Sequence, residues 1–273
     1  MAAPQTKNAA PSPSPGSPVL SVVVPVLDEA ENLRPLIEEI AAALDEGPDY
    51  EIVYVDDGSG DGTPDRLADL AAELPRLRWV RHRTRCGQSA AIWSGVEAAR
   101  ASLIATLDGD GQNDPADIPK LLARFDAEGG DNDGPMIVGE RAKRRDTRLK
   151  RISSRIANGV RAGLLADQTP DTGCGLKVFP RAAFLAMPRF DHMHRFLPAL
   201  MMRSGGRVVS VVVGHRPRGT GTSKYGVLDR LWIGIVDLLG VMWLQRRPMT
   251  PDIVDDGKDK TSRPAQGPRS HAP

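Results

Sequence analysis

What most restricts this chain is a regular alternation of strands and helices along its first hundred residues. Val19–Val26 is a β-branched run that reads as a buried strand. Leu33, Leu36, Ile37, Ile40, Ala41 and Leu44 then recur at helical spacing. Asp28 and Glu31, three apart just ahead of them, have the pattern of a capping box. Glu51–Val55 is the second strand, and Thr63 as cap with Pro64 at the first helical position opens a helix carrying Leu67, Leu70, Ala71 and Leu74. Leu77–His82 reads as a third strand, Ala91, Ile92, Gly95, Val96 and Ala99 as a third helix, and Leu103–Leu107 as a fourth strand. This order predicts an α/β fold with a mostly parallel sheet covered by helices on both faces. Ligands of such sheets bind beyond the carboxyl ends of the strands.

Three of those four strand ends are acidic: Leu27-Asp28-Glu29, Asp56-Asp57-Gly58-Ser59 and Asp108-Gly109-Asp110-Gly111-Gln112. Asp and Gly are good turn formers wherever they stand, but the topology brings all three to one edge. No G-x-G-x-x-G follows the first strand and no G-x-x-x-x-G-K-[ST] occurs, so neither phosphate loop is present. An acidic edge repels nucleotide phosphates unless a divalent cation intervenes. Asp108 and Asp110, two apart on a Gly-rich loop, offer the hard oxygen ligands that Mg²⁺ or Mn²⁺ takes. Calcium-loop readings fail: the loop begun by Asp57 has Ala68 at its twelfth position, and the one begun by Asp108 has Asn113 where Gly is needed.

Composition narrows the class further. With 36 basic and 35 acidic side chains the net charge is +1, unlike a dedicated nucleic-acid binder. Cys86 and Cys174 make neither a disulfide framework nor a zinc spacing, which suits a reducing, cytoplasmic setting. Residues 1–18 and 248–273 hold ten of the 23 prolines and little to bury, so both read as disordered tails around a domain over 19–226 and a helix over 227–247. The first 18 residues lack the apolar core of a secretory signal, and no apolar run approaches the roughly 20 residues of a spanning helix.

Taken together, Val22–Asn32, the Asp56–Ser59 strand end and Asp108-Gly109-Asp110 resemble the family 2 glycosyltransferases of GT-A fold. Val138–Arg141, Arg151–Asn158, Asp171–Phe179 and Arg218–Tyr225 resemble the dolichyl- and polyprenyl-phosphate sugar transferase branch. The resemblance implies that Pro25, Asp28, Glu29 and Asp57 line the base and ribose pocket, and that Asp108, Asp110 and Gln112 hold Mg²⁺ or Mn²⁺ and the diphosphate. It also implies that Arg141, Lys150, Arg151 and Ser154 orient an acceptor phosphate, and that Arg218 and Lys224 close over the donor. Leu27, Asp28 and Lys177 depart from the residues common in the family.

The resemblance implies an inverting, metal-dependent transfer from a UDP- or GDP-sugar to a polyprenyl phosphate. A lipid phosphate needs no general base, because its second pKa of about 6 leaves it mostly dianionic at neutral pH. It needs cations, and residues 141–155 hold eight Lys/Arg against one acid, Asp146. The same segment also suits a plain solvated face, or attraction to an anionic bilayer at about 1 kcal/mol per residue. Apolar residues recur at helical spacing over Val227–Leu244, with Trp232, Trp243 and Arg246-Arg247 near the ends. This pattern fits an amphipathic interfacial helix or an ordinary core helix. Membrane association is then peripheral, at the inner face, or through a membrane-protein partner or a homo-oligomer. Two alternatives stay open: transfer to a hydroxyl with Asp191 as base, and a non-catalytic nucleotide-sugar or membrane-binding module. A metal pair at His192 and His194 lacks a third ligand nearby.

Overall fold

The computed structural model describes residues 18–141, 165, 169–216 and 227–247, with the side chains of 227–233 left out. In chain order the elements are β1 (Leu20–Val26), α1 (Leu33–Leu44), β2 (Tyr50–Asp56), α2 (Thr63–Glu73), β3 (Leu77–Arg81), α3 (Gln88–Ala98), β4 (Leu103–Thr106), α4 (Ile118–Ala127), β5 (Met136–Arg141), β6 (Lys177–Pro180), α5 (Arg181–Leu185), α6 (Leu197–Arg203), β7 (Val208–Val213) and α7 (Val227–Gln245). The seven strands form one sheet in the order β3-β2-β1-β4-β6-β5-β7. Every neighbouring pair is parallel except β4–β6 and β6–β5, so β6 alone runs against the rest. The mostly parallel sheet is as expected. The reversed β6 is not legible in the sequence, because no periodicity encodes strand direction.

Alternation along β1 explains the two cores. Val22 and Val24 point into the layer formed with α1, α2 and α4, while Val23 faces the other way with Val53, Ile92 and Val96. Both faces are covered, so β1 and β2 are apolar at nearly every position. The capping box does not form. Asp28 adopts φ +57° and its Oδ1 accepts the Gly60 N–H at 2.9 Å, which ties the end of β1 to the turn after β2. Asn32 stands at the cap of α1 without a side-chain cap bond, and Gly62 rather than Thr63 caps α2.

One buried polar knot holds the amino-terminal edge. Glu51, 4% exposed, accepts from the Arg100 N–H (2.6 Å), the Ser21 hydroxyl (2.7 Å) and Arg78 Nη1 (2.9 Å). Burial pushes this carboxyl up, but the three hydrogen bonds outweigh it and leave the pKa lowered. A lowered carboxylate pKa stabilises the fold above the unfolded value of about 4.3, and that contribution is lost as pH falls through the folded value. Glu51→Ala is expected to cost about 3 kcal/mol at pH 7, since it leaves the Arg100 amide and the Ser21 hydroxyl without their shared acceptor, while Arg78 keeps the Ala98 carbonyl. Urea unfolding at pH 7 and pH 3 checks this; the difference between variant and wild type should shrink at the lower pH.

The helix expected near the carboxyl end is present as α7. Val241 is fully buried and Leu238 and Met242 pack beside it on the second core, while Arg203 Nε donates to the Leu244 carbonyl at 2.9 Å. Its open side carries Val236, Leu239 and Trp243, exposed by 53%, 58% and 61%. Among the described residues no helix is long and apolar enough to cross a membrane.

Candidate active site

The carboxyl edge of the sheet holds a cleft of about 380 Å³, whose lining includes Pro25, Glu29, Asp57, Asp108, Asp110, Gln112 and Arg141. These are seven of the thirteen site residues expected from the sequence. Asp28 is not among the lining residues; its carboxylate serves the Gly60 turn. Lys150, Arg151, Ser154, Arg218 and Lys224 lie outside the described residues.

Asp57 is 4% exposed and shapes one wall. Its Oδ1 meets His82 Nδ1 and the Cys86 N–H, both at 2.8 Å, and its Oδ2 accepts the Gly87 N–H at 2.8 Å. It therefore fixes the turn that opens α3. Asp57, His82 and Cys86 are close enough to hold a metal ion. Their hydrogen bonds already account for that closeness, since the Cys86 thiol donates to the Thr84 carbonyl at 3.2 Å.

The opposite wall is the turn after β4. Gly109 fits where a Cβ would come within 2.4 Å of Val26 Cγ1 and 2.9 Å of the Pro25 carbonyl. The Asp108 N–H donates to Asn113 Oδ1 at 3.2 Å, and Gln88 Nε2 donates to Asp108 Oδ1 at 2.9 Å. Asp110 Oδ1 accepts the Gln112 N–H at 3.1 Å. Behind Asp108 lies Gly175, where a Cβ would stand 2.2 Å from Asp108 Oδ2. Burial first, and then the charge of Asp110, push the Asp108 carboxyl up to about 6 against the pull of Lys177 and Arg141.

Arg141, at the end of β5, is gripped by Asp171 through two bonds, Nε to Oδ2 at 2.6 Å and Nη2 to Oδ1 at 2.7 Å. The pair is half-hidden, with both side chains under 15% exposed, so the guanidinium is presented to the cleft in one orientation. A second, more enclosed cavity of about 170 Å³ adjoins the cleft and shares Gln88, Asp108 and Gly173 with it. Lys177, His194, Arg195 and Thr172 also line it.

His192 and His194 have different partners. His192 Nδ1 lies 3.0 Å from Asp237 of α7, whereas His194 Nδ1 is 2.7 Å from the Ser89 hydroxyl. Asp191, the base of the hydroxyl alternative, lines a separate groove with Trp93 and Phe190 rather than the cleft. Sequence reasoning missed Gln88. Its only signal is its place as the first residue of α3, which aims it at the end of β4.

The family pattern described as glycosyl transferase family 2 matches residues 21–186, more than half of the chain and all of the strand ends above. The chain belongs to glycosyl transferase family 2. This family 2 glycosyltransferase is 36% identical over 237 residues to dodecaprenyl-phosphate galacturonate synthase of Rhizobium johnstonii, covering 85% of this chain and 69% of that one. It is 34% identical over 212 residues to undecaprenyl-phosphate 4-deoxy-4-formamido-L-arabinose transferase of Aeromonas hydrophila, covering 77% of this chain and 64% of that one. These relatives are polyprenyl-phosphate sugar transferases, as the resemblance implied. Glucosyl-3-phosphoglycerate synthase of Mycobacterium tuberculosis, solved with Mn²⁺, UDP-glucose and phosphoglyceric acid, superposes with TM-score 0.62 at 18% identity, over 84% of this chain and 79% of that one. The GT-A arrangement of the glycosyltransferase domain follows from that likeness.

Proposed function

We propose that this protein transfers a sugar from a UDP- or GDP-sugar to a polyprenyl phosphate, with inversion, at the cytoplasmic face of a membrane. The observation that carries the proposal is the meeting of Asp57, Asp108, Asp110, Gln112 and Arg141 on one cleft, in a chain related to polyprenyl-phosphate sugar transferases. Pro25, Glu29 and Asp57, which line the cleft, are proposed to take the base and ribose. Asp108 and Asp110 suit Mg²⁺ or Mn²⁺: two hard carboxylates, close enough to raise the pKa of one by their mutual charge. Gln112 lines the same cleft and is proposed as a further ligand. The cation, when bound, neutralises the charge that develops on the departing diphosphate.

The two bonds to Asp171 orient Arg141, so it would offer a pre-positioned cation to an incoming phosphate. Lys150, Arg151 and Ser154 are proposed to complete the acceptor site, and Arg218 with Lys224 to cover the donor. The acceptor dianion attacks without a base, which separates this reading from the hydroxyl alternative. Arg141→Gln is expected to lower kcat/KM for polyprenyl phosphate by about 100-fold, while Asp191→Asn changes it less than about threefold. The reverse ranking would transfer the assignment to a hydroxyl acceptor.

The open side of α7 is proposed to lie in the bilayer interface, where Trp243 sits at headgroup depth and Val236 and Leu239 reach the acyl boundary. Loss of about 1.5–3 kcal/mol of burial for each large apolar side chain makes Leu239→Ser with Trp243→Ser a sharp test. Co-sedimentation with anionic vesicles should fall by at least about tenfold in the double variant and stay high in the wild type.

A further inference from the structure

The cavity beside Asp108 brings the side chains of Lys177, His194, Arg195 and Gln88 together on a lining that also holds Ile92 and Leu197. Lys177 is 4% exposed, and its ammonium donates to the Cys174 carbonyl as its one hydrogen bond among the described residues. Arg195 lines the same space and forms no ion pair with a described residue. Ser89 Oγ accepts the His194 N–H at 3.2 Å and lies 2.7 Å from His194 Nδ1, which fixes the ring's orientation and leaves Nε2 outside that contact. Burial first, and then Arg195 and Lys177, push the His194 pKa down to about 3, so it remains neutral. The carboxylate lining the cavity is Asp108 at its mouth, which the proposed cation engages.

Burial pushes the Lys177 pKa down, while the charges of Cys174, Asp108 and Asp171 hold it up; with Asp108 engaged by a cation, a ligand carboxylate would supply the missing counter-charge. We propose that this cavity is the subsite for the transferred sugar and that Lys177, with Arg195, selects a sugar bearing a carboxylate, a uronic acid. The inference rests on the sugar-transfer reading above. The cavity meets the nucleotide cleft at Gln88, Asp108 and Gly173, so a diphosphate held at Asp108 presents its sugar to the cavity mouth. Ile92, Thr106 and Leu197 wall the cavity. A space of about 170 Å³ has room for one sugar ring, and it opens onto the cleft at Asp108, where the donor diphosphate is proposed to sit.

The test compares donors that differ only at C6: UDP-glucuronate with UDP-glucose, UDP-galacturonate with UDP-galactose, and GDP-mannuronate with GDP-mannose. Each is measured with Mn²⁺ both as binding by titration calorimetry and as transfer to polyprenyl phosphate. Wild type is expected to favour one carboxylate donor over its neutral partner by about 100-fold, since leaving a buried charge unpaired penalises the analogue. Lys177→Met should reduce that ratio to within about threefold. Lys177→Arg should restore part of it, and Arg195→Gln should move it in the same direction as Lys177→Met. Melting temperatures verify that each variant is folded.

Preference for the neutral donor, or a ratio unmoved in Lys177→Met, would overturn the proposal. So would a raised KM for polyprenyl phosphate with the donor ratio unchanged, which would give the cations to the acceptor phosphate. Failure to label any lipid would sink the transfer reading alone, because donor discrimination is read from binding. Failure of every donor to bind would sink both.

Discussion

Asp110→Asn is expected to reduce sugar transfer by about 1,000-fold or more while leaving the fold intact. The side chain lies on the turn after β4 and its Oδ1 accepts the local Gln112 N–H, a bond that the carbonyl oxygen of an amide of the same shape also accepts. What disappears is one of the two carboxylates proposed to hold the cation and the donor diphosphate. Without it a bound cation would be held weakly and the leaving group would depart against its own charge. The partner carboxyl adds a pH signature. Asp108 is pushed up to about 6, so below that pH a cation must displace a proton from it, and the Mg²⁺ concentration needed for half-maximal activity should rise as pH is lowered from 7 to 5. In cation-free protein the sign is the opposite for stability. The fold tolerates the neutral acid better than the carboxylate, so stability is lost as pH rises from about 3.9 through 6. Asp108→Asn is therefore expected to melt above wild type at pH 7 without cation, although it transfers no sugar.

Gly175→Ala is the second large effect, and it acts without removing any functional group. The added methyl would stand 2.2 Å from Asp108 Oδ2 and 2.3 Å from its Cγ, far inside contact distance. The backbone cannot retreat. Thr106 Oγ1 donates to the Gly175 carbonyl at 2.7 Å and the Gly139 N–H donates to the Leu176 carbonyl at 2.9 Å. Asp108 must therefore turn out of its position beside Gln88. A displacement of about 1 Å at a reacting centre costs about 100-fold, and losing a metal ligand costs more. Activity should fall by at least that factor, with Mn²⁺ affinity falling in parallel in a titration. Near-normal activity in Gly175→Ala would mean that Asp108 is not held where the cleft needs it.

The sheet was legible in the sequence because β1, β2 and their helices repeat apolar residues at spacings of two and three to four. Its far half was not, because β6 is a four-residue segment whose direction is set by pairing with β4 and β5. Acidic strand ends exposed most of the cleft, since parallel topology alone collects them on one edge. Asp28 is the exception. It looked like a cap and a pocket residue, yet a left-handed backbone turns its carboxylate to Gly60, a conformation that a single residue letter does not announce. Gln88, Lys177 and His194 came from three distant segments, and only the folded chain places them around Asp108.

The most direct measurement is the appearance of labelled sugar in extracted lipid. The protein is incubated with polyprenyl phosphate and each labelled UDP- or GDP-sugar in turn, with Mg²⁺ or Mn²⁺ and then with EDTA. Label should enter the lipid from one class of donor, disappear with EDTA and be absent in Asp110→Asn. Donor hydrolysis with no labelled lipid, or labelling that survives EDTA, would contradict cation-assisted transfer to a lipid phosphate.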